Sequence, residues 1–217
     1  MSDDGIRVLV ETTSRRVFVS ALDWPGLARG AKDEEQAIAA LLAALPRYAT
    51  VAGAVGLAFD HERAVVVVAE RFEGDATTAF GAPSIISAAD RRPTTADDAA
   101  RLAALVDAAW RIFDGVAAAA PEELRKGPRG GGRDTSKIVD HVNGADGGYA
   151  AVMARRHRPV DPASVRVMRE DVLAVLREPS DGSPIAGRKW PPRYAARRIA
   201  WHALDHAWEI EDRTAPG

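Results

Sequence analysis

Residues Tyr194 to Arg213, YAARRIAWHALDHAWEIEDR, form the longest uninterrupted helical pattern near the C-terminus and hold His202 and His206 four positions apart. That spacing stacks the two imidazoles on one helical face. Two nitrogen donors so placed can grip one divalent cation, with a third ligand arriving from elsewhere in the chain. His141 is the candidate for that third position. Arg198, His202, Asp205, His206, Glu209 and Arg213 share one sector of the helix, while Ile199, Trp201, Ala203, Leu204, Trp208 and Ile210 fall outside it. A second ridge of Arg193, Arg197, Ala200, Ala207 and Glu211 lines the opposite side. Either ridge can face water. If the small-residue ridge does so, the His ridge points into the interior, where ionisable groups must be paired or coordinated.

Three more amphipathic patterns precede this one. Thr95 and Asp98 make a near capping box ahead of a helix that carries Leu102, Leu105, Val106, Ala109, Ile112 and Phe113 inward and ends at Pro121. A glycine-rich basic loop at 127 to 133 follows, without the GK[ST] ending of a Walker loop. It leads into a helix over about 135 to 155, with an N-cap signal at Asp134 or Thr135. The stripe Ile138, His141, Val142, Ala145, Tyr149 and Val152 sets His141 on an otherwise apolar face. Gly144, Gly147 and Gly148 weaken this helix and point to a kink or the close approach of another backbone. The third pattern, PASVRVMREDVLAVLRE, turns Val165, Met168, Val172, Leu173 and Leu176 inward. Four helices of similar length joined by loops argue for a four-helix bundle, an architecture that builds metal sites from facing helices.

The N-terminal third has a different grammar. IRVLVET (6 to 12) and VFVSAL (17 to 22) read as a hairpin, and Trp24-Pro25-Gly26 stops the second strand. Asp33-Glu34-Glu35 opens a helix that runs to about 46 and ends near Pro46, and AVVVVAERF (64 to 72) is a further strand. The order strand, strand, helix, strand describes a small α+β layer. The expected organisation is therefore an α+β unit over 1–74, a linker over 75–94 rich in Gly, Pro, Ser and Thr, and a bundle over 95–217. Within the linker Ile85 and Ile86 are expected to dock on a neighbour.

At 217 residues the chain is long enough to bury a core, and 47% hydrophobic with 28% charged residues is an ordinary soluble composition. No apolar run approaches the ~18 residues a membrane span needs. The opening MSDDGIR lacks the basic and apolar regions of an export signal, so the cytoplasm is the expected location. The absence of cysteine removes disulfides, thiolate ligands and a cysteine nucleophile. A net charge of -2 gives no general field for nucleic acid, yet residues 121 to 217 carry 17 basic and 14 acidic side chains. That mild surplus suits a small anionic molecule.

Two resemblances sharpen the expectations. VFVSALDWPGLARGAKDEEQAIAALLAAL is similar to the small HicB-type domain, with its Pro-Gly turn, short Gly-bearing stretch and helix opened by acidic residues. HicB proteins bind a small toxin partner; here packing or homodimer formation is the expected role. Residues 95 to 213 resemble the DinB/YfiT superfamily of four-helix bundles through GGGRD, DHV, YA and AARRIAWHALDHAWEIEDR. That resemblance implies a divalent metal on His141, His202 and His206, with zinc first and nickel or iron as alternatives. It also implies a thiol-dependent S-transferase, using a low-molecular-weight thiol of the mycothiol type, or a hydrolase. Some thiol-dependent relatives place a Glu in the metal-binding pair, where this chain has two His. Asp205 and Glu209 are the expected partners behind the ligands. Arg198, Arg129 and Arg133 are expected to grip an anionic substrate. The contrasting expectation is a non-enzymatic interaction protein whose HicB-like layer binds a partner.

Overall fold

The computed structural model describes residues 5–126 and 132–214 and shows a mixed α+β protein, with a four-stranded sheet at the N-terminus and a helical C-terminal part. Strands β1 (Ile6–Thr12) and β2 (Val17–Ala21) pair antiparallel through a turn in which Thr13 Oγ1 donates to the Arg16 carbonyl at 2.9 Å. A third strand, β3 (Ala28–Ala31), follows the Trp-Pro-Gly turn and pairs antiparallel with β2. The chain then forms α1 (Glu34–Gly53) and returns as β4 (Val66–Glu73), parallel to β1 at the far edge. The sheet order is β3-β2-β1-β4.

Two expectations are corrected here. The strand order is strand, strand, strand, helix, strand, because β3 (ARGA) is too short and too poor in β-branched residues to announce itself. The α1 helix also runs through Pro46 to Gly53 instead of ending there. Pro46 sits on the solvent side beside Leu42, whose carbonyl loses its helical partner on the wet face. Asp33 caps the start by accepting from the Gln36 amide at 2.8 Å. Leu41, Leu45 and Tyr48 bury against one face of the sheet, and the Tyr48 hydroxyl donates to the Pro25 carbonyl at 2.7 Å.

The stretch between sheet and bundle is ordered where its composition reads as a linker. It contains a short helix, α2 (Ala76–Phe80), capped reciprocally by Asp75 and Thr78. Several of its polar groups find partners at long range. Thr78 Oγ1 and the Ser84 amide both donate to Glu11 on β1 at 2.9 Å. The Arg197 guanidinium donates to both oxygens of Asp90 at 2.8 and 2.7 Å. Ile86 packs on the core as expected.

The helical part consists of α3 (Ala96–Ala119), α4 (Thr135–Val152), α5 (Pro162–Leu176) and α6 (Pro192–Thr214). The apolar stripes of α3 and α5 are buried as their periodicity requires, apart from Ile112 on α3, which is half-buried. Helix α4 runs unbroken through its glycines. Only Gly147 meets a close neighbour, since a methyl there would lie 3.1 Å from Pro159 Cδ, whereas Gly144 and Gly148 face open space.

Helix α6 is the spine. It packs against α3 and α4, and its Trp201 joins Phe18, Ala28 and Ala82 on the second face of the sheet, edge-on to Phe18 at 6.0 Å. The middle of both ridges of α6 is therefore covered: Ala200 and Ala207 are fully buried, and His202 and His206 are 6% and 8% exposed. Gly26, in the turn between β2 and β3, lies close against α6 at Ala200 and Leu204. It has φ +96, and a methyl there would lie 2.6 Å from Leu204 Cδ1 and 3.2 Å from Ala200 Cβ. One continuous apolar cluster runs from Ile6 on β1 to Ile210 on α6.

Candidate metal centre

Helix α4 brings His141 across to His202 and His206 on α6. His202 Nε2 lies 3.2 Å from His141 Nε2, and the ring centroids are separated by 5.1 Å (141–202), 4.9 Å (141–206) and 4.7 Å (202–206). One nitrogen from each ring can be chosen so that all three lie within 4.8 Å of one another. A cation ~2.0–2.1 Å from each nitrogen in tetrahedral geometry needs nitrogens roughly 3.3 Å apart. The 3.2 Å pair meets that requirement, and the His206 nitrogen lies within 4.8 Å of both.

The electrostatics favour neutral rings. Burial pushes the His202 imidazolium down to about 2, with His206, Arg198, His141 and Arg133 acting in the same direction. His141 is lowered as well, by burial, Arg133 and His206. Neutral rings offer lone pairs, which a cation requires.

Glu209 stands behind His206. Its Oε2 lies 2.7 Å from His206 Nδ1, which fixes Nδ1 as the protonated nitrogen and leaves Nε2 free. That bond, with help from Arg213, holds the Glu209 carboxyl below its usual range. Asp205 does not share this role. Arg29 from β3 takes it at 3.3 Å and stacks its guanidinium 3.9 Å from the Trp208 ring. His202 Nδ1 is buried and finds no partner among the described residues.

Of the three arginines expected to hold a substrate, Arg129 lies outside the described residues. Arg133 is exposed, and its charge bears on both His141 and His202. Arg198 lies one turn before His202, donates to the Pro83 carbonyl at 3.2 Å and stands over the Trp201 and Tyr149 rings at 4.8 and 5.6 Å. It forms no ion pair among the described residues. Two neighbours escaped the sequence reading as site residues. Tyr149 packs edge-on to His202 at 5.7 Å, and Trp190 packs on Tyr149 at 5.2 Å. The signal for Tyr149 was present, since it lies eight residues beyond His141 on the same stripe.

The centre is open on one side. His141 is exposed, and Gly144 and Gly148 follow it at helical spacing, where a methyl on either would meet no neighbour within 4 Å. A small molecule can approach over this bare stretch of α4 while the α6 side stays dry. No helix among the described residues is long and apolar enough to cross a membrane. Comparison with protein-family models, with curated proteins and with solved structures returns no match.

Proposed function

We propose that this chain is a DinB-like divalent-metal protein with a HicB-like N-terminal layer, in which His141, His202 and His206 hold the ion and a small thiol or anion is the reacting partner. The observation that carries the reading is the convergence of three imidazoles from two helices, one of them backed by a carboxylate. Zinc suits three imidazoles, and nickel or iron suits them as well. Once bound, the ion would supply Lewis acidity, lowering the pKa of a coordinated thiol or water toward neutrality. The chain has no thiol of its own, so a low-molecular-weight thiol would come from outside. Glu209 holds His206 in the tautomer that presents Nε2. Arg133 and Arg198 place positive charge on the flanks and favour an anionic reactant. Tyr149 and Trp190 form an apolar wall beside His202.

The test is a screen of the metal-loaded protein with common low-molecular-weight thiols and electrophiles, run beside H141A. Thiol consumption by the wild type and its loss in the variant support the S-transferase reading. Inactivity with every thiol refutes it. A second reading, a non-enzymatic interaction protein, draws on the β4 edge, where Val65 and Val67 are 60% and 41% exposed. Light scattering on the wild type and V67K separates the two, because a dimer built on this edge dissociates in the variant.

A further inference from the structure

We propose that Arg213 is a positioning residue that links the metal-binding edge of α6 to the ends of the basic loop, so that occupancy of the centre and order of the loop ends depend on each other. The inference rests on the reading of the three histidines as a cation site.

Arg213 is charged, yet its side chain is only 10% exposed. Its Nε donates to the Arg125 carbonyl at 2.7 Å, and Nη1 donates to the Arg133 carbonyl at 2.7 Å and to Glu209 Oε1 at 3.1 Å. One guanidinium thus holds both ends of the stretch Arg125 to Arg133 and one oxygen of the carboxylate whose other oxygen meets His206 Nδ1 at 2.7 Å. The loop returns the contact. The Arg125 amide donates to the Arg213 carbonyl at 3.1 Å, and its side chain donates to the Asp212 carbonyl at 2.6 Å.

Gly132 is part of the same arrangement. It has φ +143, and a methyl there would run into the Arg213 guanidinium. Glycine at 132 is therefore what lets Arg213 lie against the loop and still reach Glu209. The fork geometry of arginine allows three acceptors to be held at once, which a lysine ammonium on its flexible stem does not match. A group that holds a metal-binding histidine, as Glu209 would hold His206, is typically worth ~10–100-fold in metal affinity, and Arg213 acts one contact further back, through Glu209. Coupling of this kind is reciprocal: if the Arg213 contacts to Arg125 and Arg133 favour the cation, the cation favours those contacts to the same extent.

The experiment uses the full chain and has two independent readouts. In metal-free protein, histidine-selective nitrogen NMR reads the tautomer of His206. A zinc titration against a chromophoric chelator reads affinity, and hydrogen exchange reads the Arg125 amide with and without zinc. The wild type is expected to show His206 protonated on Nδ1, with slower exchange at Arg125 once zinc is bound. R213A and G132A are expected to mix the tautomers and to weaken zinc binding by up to about tenfold, the low end of the range for such partners. R213K keeps charge beside Glu209, so it is expected to retain the tautomer while losing protection at Arg125.

The proposal is overturned if R213A and G132A, shown to be folded by circular dichroism, keep the wild-type tautomer and zinc affinity. It is also overturned if R213K behaves in every readout like R213A. Should the wild type bind no zinc while the variants shift the tautomer as expected, the positioning role stands and the metal reading falls.

Discussion

Replacing Asp90 by Asn tests how the stretch between sheet and bundle is fastened to α6. Asp90 and Arg197 have side chains 1% and 6% exposed and share two bonds at 2.8 and 2.7 Å. Burial by itself would raise the Asp90 carboxyl, yet Arg197 and Ser87 hold it below its ordinary value of 3.8. The asparagine keeps the shape but leaves Arg197 buried without its counter-charge, a change that costs about 3–5 kcal/mol. For a chain of this size, about 2–4 °C per kcal/mol converts that cost to a fall in melting temperature of roughly 6–20 °C. Urea unfolding followed by circular dichroism gives the free energy directly.

The same carboxyl sets a pH dependence with a definite sign. A group depressed by folding stabilises the native state above its unfolded pKa, and that contribution is lost as pH falls through the folded value. The gap between wild type and D90N should therefore be full at pH 7 and should shrink as pH drops below about 3.8. A D90L/R197M pair, which removes both charges, should recover most of the loss. If D90N at pH 7 lies within 1 kcal/mol of wild type, or if the gap does not depend on pH, the fastening does not work through this buried pair.

Gly26→Ala forces a methyl toward Leu204 at a positive φ, and should cost about 1–3 kcal/mol in chemical unfolding. Tyr48→Phe leaves the Pro25 carbonyl without the donor now at 2.7 Å and should cost ~1–3 kcal/mol in the same assay. Burial raises the Asp146 carboxyl to about 7, with Arg169 opposing. A group raised by folding loses its stabilising contribution as pH climbs from the unfolded value to the folded one, so stability should decline between about pH 4 and 7. D146N should flatten that decline; an unchanged profile would show that Asp146 does not set it. Glu209→Gln should weaken zinc binding by about tenfold, less than loss of any ligand, as measured by chelator competition.

Much of the architecture is legible from local patterns. Strands β1 and β2, the α3 stripe, the α5 stripe and the His202/His206 spacing each follow from a period that a short window contains. What escapes is whatever depends on a partner far along the chain. A helical wheel shows two polar ridges on α6 but not that Asp90 and the turn at Gly26 meet one while His141 of α4 meets the other. Asp205 shares its sector with the histidines, and only the arrival of Arg29 from β3 draws it away. The 75–94 stretch looks like a linker because Thr78, Asp90 and their neighbours are polar. Their acceptors and donors, Glu11 and Arg197, lie 67 and 107 residues away. His141 reads as an apolar-face residue, but it is exposed because the glycines beside it leave that side of α4 bare.

The central claim is that three imidazoles share one cation, and elemental analysis of the purified protein after zinc loading and gel filtration tests it most directly. The account predicts one ion per chain, with binding lost or sharply weakened in H141A, H202A and H206A, each checked for folding. A wild type that emerges without metal, or a triple variant that keeps a full equivalent, would contradict it.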